Sequence, residues 1–187
     1  TYTHAALAAM MEKNVAVVIC GGNHHPAGLL LPVEGHTLHG STVDMQSSAT
    51  ERAKNSVWKE IIAAKIRNQA YALNLMGKEG AGLEALSRRV KSGDPENFEA
   101  QAAQRYWPML FGAEFRRDRN GPAPNNLLNY GYMVLRAATA RAVCGAGLHP
   151  SLGIHHRNQY NAFALADDLM EPVRPMVDLI VCGLWKE

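Results

Sequence analysis

Cysteine is scarce in this chain and never closely spaced: Cys20, Cys144 and Cys182 are all it has, an odd number with no CxxC pair. That usage argues against a zinc-thiolate site and a disulfide framework, and points to a reducing compartment. Long apolar runs are missing too. None reaches the ~18 residues of a membrane span. Charge of neither sign dominates, with 19 Lys and Arg against 17 Asp and Glu and a net charge of +2, so bulk charge does not mark a nucleic-acid binder. Gly21-Gly22 lacks the GxGxxG or GxxxxGK spacing of a phosphate-cradling loop. There is no internal repeat and no low-complexity tract. What remains is a chain of 187 residues, 47% hydrophobic and 19% charged, the composition of a soluble globular protein. It has room for one domain with a real core, or for a domain plus a fragment of another. The chain begins at Thr1 rather than Met, and its first residues read as an amphipathic helix rather than a signal peptide, which suggests a start inside a longer protein.

Periodicity divides the chain. His4 to Lys13 reads as a short helix. Val15 to Cys20 is a β-branched apolar run closed by Gly21-Gly22-Asn23, a buried strand and turn, and Leu29-Leu30-Leu31 is a second strand stopped by Pro32. The stretch from Gly35 to Thr42 is rich in Gly, His, Thr and Ser without periodicity and reads as a linker. Beyond it the chain becomes helical. Val57, Trp58, Ile61, Ile62, Ile66, Ala70 and Leu73 mark an amphipathic helix stopped by Gly77. A shorter helix spans Leu83 to Val90. The next is expected to start with Asp94 as N-cap and Pro95 at its first position, and to end or kink at Pro108. After the loop Arg116 to Pro124, Asn126 caps a helix from Leu127 to about Cys144. A final helix runs from about Asn161, disturbed at Pro172 and Pro175.

Two segments carry chemistry. In the last helix Asp167, Asp168 and Glu171 crowd together, with Asp167 and Glu171 at i, i+4 and Asp168 and Glu171 at i, i+3, so either pair can point to one side. Like charges that close raise each other's pKa unless a cation lies between them. A divalent ion does that, and His156 upstream can complete its shell. Solvent, Arg157 or Arg174 are the alternative partners. His155 competes with His156, and the residues alone do not choose between them. Earlier, Glu99 lies among Ala100, Ala102 and Ala103, where a helix packs closely. A buried carboxylate there needs a partner, and a solvated role beside Arg105 or another base is the alternative. Basic residues gather as Lys65/Arg67, Arg88/Arg89/Lys91 and Arg116/Arg117/Arg119, each readable as a solvated face. His24, His25, Glu34 and His36 lack ligand spacing and read as turn residues.

Longer strings go further. Asn129-Tyr130-Gly131-Tyr132, the run Gly147 to Asn161 containing His149-Pro150-Ser151-Leu152-Gly153-Ile154-His155-His156-Arg157-Asn158-Gln159, and Leu165 to Pro175 closely resemble the integrase of CRISPR adaptation, the first of the universal CRISPR-associated proteins. Asp94 to Gly112, with Asn97-Phe98-Glu99-Ala100 and Tyr106-Trp107-Pro108-Met109-Leu110-Phe111-Gly112, matches as well, and the details look like the type II branch. The resemblance runs from about Leu7 to Leu179. It implies a mainly α fold: residues 1–36 as the tail of an N-terminal β-domain, 37–44 as a linker, and 45–187 as a helical catalytic domain of about six or seven helices. It places the family's metal triad on Glu99, His156 and Glu171, with Asp168 a further acidic residue assisting and Asp167 a weaker match. The second histidine of the pair is the one that aligns.

The resemblance further implies Mg²⁺ or Mn²⁺, a prespacer duplex with 3′-hydroxyl ends as one substrate, and CRISPR repeat DNA as the other, joined by transesterification. With water as nucleophile the same centre resembles a DNA endonuclease. It implies a homodimer, a second CRISPR adaptation protein as partner, a prokaryotic cytoplasmic setting and no membrane. Arg116, Arg117 and Arg157, with Arg88 and Arg89 behind them, are the expected phosphate contacts. A non-catalytic DNA-binding scaffold and a helical phosphohydrolase for small esters are the competing readings.

Overall fold

The computed structural model describes residues 2–13, 15, 17–20, 22, 26–30 and 37–186. The readings placed on His24, His25, Glu34 and His36 lie outside the described residues. The protein is mainly helical, as expected, and its chain divides into two compact units, residues 1–49 with 133–167 and residues 50–132 with 168–187.

The first unit opens with α1, His4–Glu12, whose N-cap Thr3 accepts a hydrogen bond from the Ala6 amide at 3.2 Å. Strands β1, Val17–Cys20, and β2, Pro26–Leu30, pair antiparallel with Val17 opposite Leu30 and an irregularity at Ile19/Cys20. The stretch read as linker differs from expectation, because His39–Ser47 is a helix, α2. Its Ser and Thr hydroxyls turn back on the helix's own carbonyls: Thr42 Oγ1 donates to Leu38 O at 2.9 Å and Ser48 Oγ to Asp44 O at 2.8 Å. Gln46 then ties α2 to the loop around 147–152. Its Nε2 donates to His149 O (2.9 Å) and Leu152 O (2.8 Å), while its Oε1 accepts from the His149 amide (2.8 Å). A composition that looks like a linker thus becomes ordered through contacts about a hundred residues away in sequence.

The second unit is built on α3, Glu51–Leu75, capped by the Thr50 hydroxyl on the Ala53 amide. Trp58, Ile61, Ile62, Ile66, Ala70 and Leu73 form its buried stripe, at the spacing the sequence shows. Around it pack α4, Ala81–Ser87, α5, Phe98–Phe111, and α8, Arg174–Lys186. A 3₁₀ turn, Glu171–Val173, also lies against α3 and joins α8 to α7, Ala164–Met170. The long α6, Asn125–Gly145, and the short α7 each contribute residues to both units. Trp58, Ile62, Ile66, Leu73, Leu83, Leu110 and Met170 are all 2% exposed or less, and each contributes about 1.5–3 kcal/mol by leaving water.

Helix α5 starts later than Asp94 and ends beyond Pro108. Asn97, not Asp94, is its N-cap, in the left-handed region at φ 53° with Oδ1 accepting from the Ala100 amide at 3.2 Å. Residues 94–97 instead close a turn, with the Asn97 amide on Asp94 O at 2.9 Å. Asp94 still serves the helix start, since its carboxylate accepts from the Phe98 (2.9 Å) and Glu99 (3.0 Å) amides. Pro108 lies inside the helix, not at its end. It falls in the last turn, where only one intrahelical bond is lost, and Lys78 Nζ donates to the terminal Met109 carbonyl.

Candidate metal centre

Three helical segments of the second unit build an acidic centre. Glu99 lies in the first turn of α5, where the macrodipole favours a negative charge and Asp94 fixes its backbone. Glu171 opens the 3₁₀ turn after α7 and is 3% exposed. Between them stands Lys65 of α3. Its Nζ is 2.5 Å from Glu99 Oε1 and 2.6 Å from Glu171 Oε2. The first contact is a hydrogen bond. The second is a close charge contact in which Glu171 Oε2 lacks an aligned donor. Arg174 Nη1 lies 3.2 Å from the other Glu171 oxygen. Burial lowers the Lys65 pKa, but the charges of Glu171 and then Glu99 raise it, and the net result lies above the ordinary lysine value.

Beneath this centre is a buried polar group that sequence reasoning did not find. Asp178 of α8 is 1% exposed and accepts hydrogen bonds from Tyr106 Oη at 3.0 Å and from Tyr132 Oη. Burial pushes its carboxyl up to about 7, against the opposing pull of the two hydroxyls, Arg174 and Lys65. Both tyrosines are raised in turn, first by burial and then by the Asp178 charge. Arg174 stacks over the Tyr132 ring at 4.8 Å, so one guanidinium links the two acidic groups.

The expected site residues separate as follows. Glu99 and Glu171 are brought onto one point. Asp168 lies in the same unit, one helical turn before Glu171, and is fully buried. Asp167 belongs to the other unit, where its Oδ2 accepts from Arg136 at 2.7 Å and Asn161 at 2.8 Å. The i, i+4 pairing of Asp167 with Glu171 is therefore not formed, because the α-helix ends at Met170. His155, His156 and Arg157 are exposed residues of an irregular segment in that unit. Among the described residues, no group of three or more His, Cys, Asp or Glu side chains is gathered as a metal site. Arg117 is engaged locally, donating to Asn125 Oδ1 (3.0 Å) and Asn129 Oδ1 (2.6 Å) beneath the Tyr132 ring. Arg116 is exposed, with Nη1 on the Ala113 and Phe115 carbonyls. Arg88 pairs with Glu84, and Arg89 stacks over Phe98.

The sequence groups Lys65 with Arg67 as a basic cluster, yet its position carries a further signal. It falls in register with the apolar stripe Trp58, Ile61/Ile62, Ile66 and Ala70, so a lysine there faces the core and demands an acidic partner.

The fold and the site together describe a mainly helical protein in which two acidic side chains from separate segments converge on one cation. Its residues 1–187 match the family model described as CRISPR associated protein Cas1, and the chain belongs to that family. It is similar to the CRISPR-associated endonuclease Cas1 of Neisseria meningitidis serogroup C (strain 8013), at 39% identity over 187 residues, covering 99% of this chain and 61% of the relative. Among solved structures, a casposase bound to integration product matches with a TM-score of 0.82 and 27% identity, over 100% of this chain and 58% of the other. A partial Cas6-RT-Cas1–Cas2 complex matches with a TM-score of 0.70 and 22% identity, over 98% of this chain and 62% of the other, which is a likeness of fold. The chain thus spans about three fifths of the length of the first of these relatives.

Proposed function

We propose that this chain carries the catalytic centre of a metal-dependent DNA integrase and endonuclease of CRISPR spacer acquisition. It joins 3′-hydroxyl ends of prespacer DNA to CRISPR repeat DNA by transesterification. The observation that supports this reading is the convergence of Glu99 and Glu171 on a single cationic centre, two hard oxygen donors within 2.6 Å of one Lys65 nitrogen. Such a donor pair fits Mg²⁺ or Mn²⁺. Family resemblance adds His156, whose imidazole Mn²⁺ tolerates well, and Asp168. When bound, the ion supplies Lewis-acid polarisation of a phosphate oxygen and neutralises charge developing there.

The chain's own residues do the rest. Asp94 anchors the backbone of Glu99, and Arg174 holds one Glu171 oxygen so that the other faces the centre. The Asp178 cluster with Tyr106 and Tyr132 braces Arg174 from below. Arg116 and Arg157 are exposed and are the proposed DNA phosphate contacts, while Arg117 bonds locally to Asn125 near the loop that carries Arg116. A homodimer and a second adaptation protein complete the proposed assembly.

A strand-transfer assay tests the reading, with a supercoiled plasmid carrying a leader and repeat, a 3′-hydroxyl prespacer and Mn²⁺. Glu99→Gln and His156→Ala are each expected to lower transfer by on the order of 100-fold or more. Undiminished transfer by both variants would refute the assignment. One observation favours a second reading, a DNA-binding scaffold subunit: the Glu99–Glu171 pair already holds a cation of its own, Lys65. DNA binding by wild type with no metal-dependent transfer under any condition would select it.

A further inference from the structure

We propose that Lys65 is a resident counter-cation with two positions, on the Glu99–Glu171 pair in the empty centre and on Gln69 Oε1 when a divalent ion is bound. The inference rests on the metal reading above. Lys65 and Gln69 are separated by one turn of α3 (i, i+4) and are 9% and 2% exposed, polar residues set in an otherwise apolar stripe. Residues so spaced have Cβ atoms about 5–6 Å apart, so the flexible lysine stem reaches either target by rotation about its own bonds.

Gln69 Oε1 is buried and meets no hydrogen-bond donor among the described residues. A buried carbonyl without a donor is a standing destabilisation, uncommon in native proteins and in want of an explanation. A charged donor sits one turn away, committed elsewhere.

The electrostatics favour the move. Lys65 Nζ occupies the point on which Glu99 Oε1 and Glu171 Oε2 converge, at 2.5 and 2.6 Å. A divalent ion binding those same oxygens would lie close to the ammonium and repel it. The ammonium therefore leaves the carboxylates, and the unmatched Gln69 carbonyl receives it. Lys65 is a positioning residue. It keeps the two carboxylates aimed at one point while the centre is empty, and its ion pair opposes metal entry, so the centre holds its ion less tightly than the bare carboxylates would.

The two residues then have opposite effects on metal affinity. Mn²⁺ titration followed by electron paramagnetic resonance, with Mg²⁺ as competitor, reads this directly without turnover. Lys65→Met removes the competitor and is expected to tighten Mn²⁺ binding about tenfold, or 1.4 kcal/mol. Gln69→Met removes the alternative acceptor and is expected to weaken it by about the same factor. Glu99→Gln is the control for the metal reading. If it leaves Mn²⁺ binding intact, that reading falls and this inference with it. If Glu99→Gln abolishes binding while Lys65→Met leaves it unchanged or weaker, the inference alone is overturned. The wild type supplies a measurement independent of any variant's folding. In protein labelled with ¹⁵N-lysine, the Lys65 Nζ resonance must shift as Mg²⁺ saturates the centre. A stationary resonance overturns the proposal.

Discussion

Asp178→Asn tests the buried acidic group beneath the centre. Asp178 is 1% exposed against the tyrosine pair, and burial pushes its carboxyl up to about 7 from an ordinary 3.8. The folded state therefore holds a proton that the unfolded chain releases between those values. Stability from this residue is fully present below pH 3.8, falls as pH rises, and is lost once pH passes about 7. The slope is about 1.4 kcal/mol per pH unit, and over the whole window the loss is on the order of 4 kcal/mol. Asparagine cannot ionise, but it keeps the shape, one carbonyl acceptor for a tyrosine hydroxyl, and an amide that the other hydroxyl can accept. The difference between wild type and variant thus isolates the Asp178 proton, because every other titrating group cancels. Urea unfolding at half-unit steps from pH 4.5 to 8 is the assay. Wild type is expected to be equal to or more stable than the variant at the acid end, and to fall below it by several kcal/mol at pH 8. Parallel stability profiles would refute the reasoning, since they would mean the carboxyl titrates alike in both states.

Gly131 approaches Val177 so closely that a Cβ there would sit 2.4 Å from Val177 Cγ1. Gly131→Ala is accordingly expected to cost about 1–3 kcal/mol in denaturant unfolding, and a neutral result would show that α6 and α8 can part. Asp94→Ala removes acceptors for the Phe98 and Glu99 amides, with an expected loss of about 1–2 kcal/mol and slower strand transfer, because Glu99 is the residue whose backbone it fixes. Stability reduced with transfer rate unchanged at a permissive temperature would confine Asp94 to the cap.

Much of the fold was legible locally. The stripe Trp58 to Leu73 identified α3 because 3.6-residue periodicity needs only neighbouring residues to be seen, and Gly77 past its end marked the stop. The first strand was legible from its β-branched run, although Ile19 is exposed, whereas β2 carries no β-branched residue and meets the expected Leu29-Leu30-Leu31 only at Leu29 and Leu30. The start of α5 was misplaced by a few residues, since Asp94 looks like a cap in sequence and acts as one across a turn that only the left-handed Asn97 closes. Helix α2 was invisible, because its Ser and Thr residues carry no propensity signal and Gln46 finds its partners only in the folded first unit.

The acidic residues were legible as types and spacing; their division was not. A sequence places Asp167, Asp168 and Glu171 together. It cannot show that the helix ends between them, so that Asp167 turns to Arg136 in one unit while Glu171 turns to Lys65 in the other. Sequence alone determined the helical stripes, the family resemblance and the chemical character of Glu99, His156 and Glu171, since these depend on residue identity and short-range order. Tertiary structure alone decided which charges meet. Lys65 and Glu99 are 34 residues apart, and Tyr106 and Asp178 are 72 apart. Contacts over such distances leave no periodic trace in the chain, because they are formed by the packing of α3, α5 and α8 around one core.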